Sequence, residues 1–247
     1  MALERADEAR ARALECVAKT IEADSEEEAI RLAEEALEFD PHCAEAWLAL
    51  AEAEPDTVER ALNAYRKAVE SARHVLGEGF FRKERGRFWE IVEARPYMRA
   101  RLGEALCLYE MRQPEQAAAV LAEMLSDNPP DDQGARYILL SLWLELDRFK
   151  AAAELLEEYS GDVSPAWLYG RALTDYLRCG PVLADPARAR ALKSWPAVAA
   201  YLGGTLSLPA EEDTGDDPGE ELLCALEMDA VWKKNPKALA WLLKGTE

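Results

Sequence analysis

Four arginines stand where one chemistry could use them together. Arg95 and Arg99 are four residues apart, which on a helix puts both guanidinium groups on one face. Arg136 and Arg171 open two later apolar segments, and Tyr97 and Tyr137 adjoin arginine-bearing turns. A guanidinium fork binds carboxylate or phosphate through paired, charge-assisted hydrogen bonds. These six residues form the candidate partner-binding set, with the arginines as polar anchors and the tyrosines as apolar contact. A structural use of the same arginines is also open: they would hold the chain's own acids, such as Glu93, Glu104, Asp131 and Asp132.

The arginines begin inside an unusual block. Phe80 to Arg101, "FFRKERGRFWEIVEARPYMRAR", carries seven basic residues against three acidic ones, whereas the whole chain has 48 acids, 29 bases and a formal charge of −19. Phe80, Phe81, Phe88 and Trp89 either anchor a partner or attach this block to its own core. Other reactive groups are sparse. His42 follows a proline in a turn, and His74 stands beside Arg73; neither has the neighbours that acid–base or nucleophilic chemistry needs. "DNPPDDQG" lacks calcium-loop spacing and reads as a turn in which Asp127 or Asp131 caps a helix. Phosphate-loop, nucleophile-elbow and zinc-protease motifs are missing, so no catalytic residue, metal site or cofactor is expected.

Composition narrows the class further. A charge of −19 repels phosphate backbones, which argues against nucleic-acid binding. The longest apolar runs, such as Tyr137 to Leu144, are far below the roughly 20 residues that span a bilayer. The first residues, "MALERADEAR", do not read as a secretory leader. Five scattered cysteines, never spaced C-x-x-C, point to reduced thiols in a cytoplasm rather than to disulfides or zinc.

The elements that must position these residues are helical hairpins. Ser25 and Glu28 make a capping box, and Ala29, Leu32, Ala33, Ala36 and Leu37 mark one apolar helix face that Pro41 ends. A second helix then opens at Ala46 and Trp47. The small residues permit close helix approach, and Trp47 and Leu50 fill the gap to the next pair. The spacing Ala29, Ala33, Ala36, Pro41 returns as Ala61, Tyr65, Ala68, then as Ala117, Leu121, Met124, Pro129, and again as Ala152, Leu156, Tyr159. This is the tetratricopeptide pattern. It predicts an all-α fold of about a dozen helices, with hairpins stacked as a right-handed superhelix. The expected organisation is an N-terminal helix over 1–24, repeats over 25–180 with an insertion at about 75–94, and a helical cap over 181–247 carrying an acidic loop at 207–221. Within that cap, breaks are expected at Pro186, Pro196 and Pro236.

Three motifs carry a closer likeness: "RPYMRAR" from Arg95, "NPPDDQGARY" from Asn128, and "KNPKALAWL" from Lys234. With them the chain resembles bacterial members of the suppression-of-tumorigenicity-seven family, over roughly residues 29–243. The resemblance implies a helical-repeat interaction protein with no assigned enzymatic activity, and it supplies no catalytic residues. The second proline of "PPDDQG" departs from the polar residue expected there.

The expected function is a non-catalytic cytoplasmic module that binds a protein or peptide segment, one presenting acidic or carboxylate groups, in a concave groove. Two other classes stay open. One is an enzyme or enzyme subunit acting on an acidic small molecule at the arginines. The other is an acidic nucleic-acid mimic that occupies a nucleic-acid-binding protein. The sequence leaves the oligomeric state open.

Overall fold

A computed structural model describes residues 2–53, 57–209 and 219–245. Among these the chain is helical and contains no strand. In chain order the helices are α1 (Ala2–Thr20), α2 (Glu26–Phe39), α3 (Ala44–Glu52), α4 (Val58–Lys83), α5 (Arg95–Glu110), α6 (Pro114–Asp127), α7 (Ala135–Glu145), α8 (Phe149–Glu158), α9 (Pro165–Cys179), α10 (Pro181–Ser194), α11 (Pro196–Leu202), α12 (Glu220–Lys234) and α13 (Pro236–Leu242). None is long and apolar enough to cross a membrane among the described residues. Most of the acidic loop expected at 207–221 lies outside the described residues.

The chain divides into two compact units, Met1–Ala135 and Arg136–Glu247. In the first, helices pack as sequence-adjacent hairpins: α1 on α2, α3 on α4, α5 on α6. The small residues of the repeated spacing sit at these seams, since Ala33, Ala36, Ala68 and Ala117 are fully buried. Gly103 shows why such residues are needed. A Cβ there would stand 2.2 Å from the ring of Tyr65, so only glycine lets that ring lie flat on α5. The second unit packs α9 on α10 and on α8, with α12 against α9 and α11. Its repeated positions Ala152 and Leu156 are likewise fully buried.

Local signals account for most helix ends. Ser25 caps α2 by accepting the Glu28 N–H at 3.2 Å, while Glu28 reaches back to the N–H of Asp24. Asp131 Oδ1 accepts the Ala135 N–H at 2.7 Å and so caps α7. The turns after α5 and α7 are built alike. Arg112 and Asp147 are left-handed, at φ 60° and 56°, and the next N–H returns to Leu108 and Trp143 respectively. Gly180, at φ 81°, ends α9, and Pro196 and Pro236 open new helices. Pro186 corrects the expectation. It lies inside α10, which runs unbroken from Pro181 to Ser194. The carbonyl that its missing N–H leaves unbonded belongs to Val182, a residue that is 80% exposed.

Candidate functional site

In the first unit the basic block is a tether. Gly77, at φ 75°, interrupts α4, and two short 3₁₀ turns, Phe88–Glu90 and Val92–Ala94, lead into α5. Phe88 is fully buried, with its ring centroid 5.2 Å from Phe80, 5.3 Å from Phe81 and 5.9 Å from Tyr97. Those aromatic residues therefore attach the block to its own core. Trp89 does not join them; it lies under the Arg95 guanidinium, 5.5 Å from ring centroid to cation. The block also grips the C-terminal end of α6. Gly86 N–H donates to the Asp127 carbonyl, Trp89 N–H to Asn128 Oδ1, and Arg85 Nη2 to Ser126 Oγ at 2.7 Å. The first of these satisfies a carbonyl that the helix end leaves without an intrahelical partner.

The arginines here are engaged within the chain. Arg95 Nε donates to the Trp89 carbonyl at 3.0 Å. Arg99 Nη2 binds both Glu52 oxygens at 2.7 and 2.9 Å, yet half of its side chain stays exposed. Arg101 is 11% exposed and bridges Glu104 and Glu123, while Arg66 holds the other oxygen of Glu104 at 3.1 Å. Tyr97 is only 3% exposed and belongs to the core rather than to a surface. Burial raises its hydroxyl pKa, against the lowering pull of Arg101 and Arg73. Burial likewise raises Asp127, which Arg85, Arg101 and Arg73 only partly offset.

In the second unit Arg136 is caged. Its Nε and Nη2 donate to Asp162 Oδ2 at 3.1 and 2.9 Å, and Nη2 also donates to the Tyr137 hydroxyl at 2.5 Å. Its cation lies 4.3 Å from the Tyr137 ring centroid, 5.3 Å from Tyr159 and 5.9 Å from Trp167. The Tyr137 hydroxyl in turn donates to Asp162 at 2.8 Å. Burial would raise the Asp162 pKa, but the Ser164 N–H, the Tyr137 hydroxyl and Arg136 together hold it below the usual value. Tyr137 moves up, mainly through burial.

Arg171 has a different setting. It is 27% exposed, and its one ion pair among the described residues, to Glu157, is long at 3.5 Å to a largely exposed partner. It borders a cavity of about 330 Å³ formed by α9, α10 and the turn before α9. The apolar wall is Trp167, Leu168, Pro186 and Ala187, and the polar wall is Arg171, Arg190, Ser160 and Asp162. Trp167 is 2% exposed, and its indole N–H has no hydrogen-bond partner among the described residues.

Of the six candidate residues, the first unit brings Arg95, Tyr97 and Arg99 onto the start of α5, with both arginines exposed and the tyrosine inside. The second unit joins Arg136 to Tyr137 in one closed cage and leaves Arg171 at a cavity. Sequence reasoning missed Arg190. A signal for it existed: Arg171 and Arg190 lie at nearly equal distances either side of Gly180, so an antiparallel hairpin puts them at the same level.

No protein-family model matches the chain, and no curated protein sequence matches it. Solved structures do. The crystal structure of YrrB, described as a TPR protein with an unusual peptide-binding site, superposes with a TM-score of 0.54 at 15% identity, covering 73% of this chain and 83% of YrrB. A Pseudomonas aeruginosa PilF structure gives a TM-score of 0.39 at 18% identity, covering 81% of this chain and 98% of PilF. The likeness to YrrB is one of fold: the chain is a tetratricopeptide-like helical-repeat protein.

Proposed function

We propose that the protein is a non-catalytic, cytoplasmic interaction module that binds a segment of a partner protein. The observation that carries this is the fold: hairpins with fully buried small residues at their seams, shared with a TPR protein described as having a peptide-binding site. Stacked hairpins present a continuous surface of first helices, which suits an extended or helical peptide. The resemblance to the suppression-of-tumorigenicity-seven family supports the same class. Arg95, Arg99 and Arg171 have the exposure to meet acidic groups of that segment. Arg136, Tyr97 and Tyr137 serve the site by fixing the helices that carry those arginines.

Affinity capture from a lysate of the native host, with identification of bound proteins, tests this. The parent chain is expected to retain a specific protein. The Arg95→Glu/Arg99→Glu double variant and Arg171→Glu are each expected to retain at least tenfold less while keeping a helical circular dichroism spectrum. A parent that retains nothing beyond an unrelated acidic control protein would overturn the reading.

A further inference from the structure

We infer that the cavity between α9 and α10 is a binding site for the carboxylate of a peptide's acidic side chain, with an adjacent apolar residue of that peptide against its wall. The inference rests on the reading of the protein as a peptide-binding module. It starts from Arg190. In a chain with 48 acids and 29 bases, an arginine finds an internal partner easily, and most of those near the candidate site have done so. Arg190 makes no hydrogen bond or ion pair among the described residues, although it stands on the wall of a formed cavity. Arg171, opposite it on α9, is held only by the long contact to Glu157. Two guanidinium groups thus flank one space, one unpaired and one weakly paired.

The other walls define the ligand. Trp167, Leu168, Pro186 and Ala187 make one side apolar, so the guest needs an apolar part as well as a charge. About 330 Å³ lies at the small end for ligand sites and admits one or two side chains rather than a helix. The acid on the wall, Asp162, is already engaged by Arg136 and Tyr137 and does not neutralise Arg171 or Arg190. Glu157 and Asp175 also lie near Arg171. With both of those acids beside Arg171, Arg190 carries the charge left for a guest, which suits a single carboxylate and opposes a doubly charged phosphate.

The test uses the full chain, isotope-labelled, with arginine Nε–H resonances assigned through Arg171→Lys and Arg190→Lys. The probes are N-acetyl-Leu-Glu-amide, its Gln and phosphoserine counterparts, and succinate. The Glu probe is expected to shift Arg171, Arg190 and the Trp167 indole resonance in saturable fashion. The Gln probe should bind at least tenfold more weakly, and Arg190→Gln should weaken the Glu probe at least tenfold with helicity unchanged. Equal binding of the Glu and Gln probes overturns the inference. So does tighter binding of the phosphoserine probe, or succinate binding as well as the Glu probe. If the parent and Arg190→Gln capture the same host protein equally and no Glu-specific shift is seen, the cavity fails and the interaction reading stands. If no host protein is captured, that reading fails by itself.

Discussion

The basic block of the first unit and the basic cavity wall of the second put the same residue type to opposite uses. In the first unit Arg85, Arg95, Arg99 and Arg101 reach acids, carbonyls or hydroxyls of their own chain, and the block tethers α4 and α5 to the end of α6. In the second, Arg136 is consumed by Asp162 and three rings, while Arg171 and Arg190 keep their donors largely available. The difference lies in what faces each arginine, and local charge does not predict it. The stretch richest in bases is the one most engaged within the chain: Arg99 and Arg101 on α5 meet Glu52 of α3, Glu104 of α5 and Glu123 of α6, while the glycine-broken segment before α5 carries Arg85 to Ser126 at the end of α6. On α9 and α10 the two arginines line one cavity with an apolar floor, where Arg171 has only a long contact to the exposed Glu157 and Asp162 is already held by Arg136 and Tyr137.

The sharpest way to break this contrast lies within the second unit. Arg136→Ala removes the main cationic partner of a mostly buried Asp162 and empties the cage of three rings. Breaking such a pair from one side costs about 3–5 kcal/mol. Arg171→Ala gives up a long, exposed contact and should cost less than about 1 kcal/mol. Urea unfolding of the two variants measures both. Similar losses would mean that Arg171 is as structural as Arg136 and that the cavity is not a free surface.

Both regions depend on helices that close at small residues. Ala117 in the first unit and Ala152 in the second are fully exposed to neighbours and closed to solvent. Ala117→Leu and Ala152→Leu should each overpack a seam and destabilise by about 1–3 kcal/mol. A variant as stable as its parent in urea would show one unit to be loosely packed there, and the contrast would then reflect packing rather than the placement of charge.

These seams were the most legible part of the sequence, because a helix periodicity of small residues encodes contact with the neighbouring helix directly. Caps were legible too: Ser25, Asp131 and Gly180 each act through local backbone chemistry. Pro186 was not: it lies inside α10 on an exposed stretch, and the cost of a proline inside a helix depends on tertiary surroundings that the local sequence does not show. The site was less readable for a related reason. Arg99 and Arg101 are two residues apart and look equivalent in sequence, yet one is half exposed on Glu52 and the other is 11% exposed between Glu104 and Glu123. Tyr97 looked like a groove residue because it adjoins arginines, but Phe81 and Phe88 take it into the core. Arg190 carried no motif and became visible only through the hairpin that turns at Gly180.

The finest contrast is between two aspartates, and pH reads it. Asp162 has its pKa lowered: burial opposes the charge, but Ser164, Tyr137 and Arg136 more than compensate. A lowered carboxylate contributes stability that is present above its unfolded pKa and is lost as pH falls through the folded value. Asp127 has its pKa raised, chiefly by burial, with Arg85, Arg101 and Arg73 too weak to restore it. Its contribution has the opposite sign. It is full below the ordinary carboxylate range and is lost as pH rises through the raised value. Asp162→Asn should therefore destabilise at pH 7, with a cost that shrinks toward pH 3. Asp127→Asn should be the more stable form at pH 7, by less than about 1 kcal/mol for a group that solvent partly screens, and should lose that advantage at pH 3. Urea midpoints of both variants at the two pH values decide it. If Asp127→Asn instead loses stability at pH 7, the Arg85–Asp127 contact outweighs the cost of burial. The tether on α6 would then be held by charge as firmly as the Arg136 cage, and the difference between the two regions would narrow to the cavity alone.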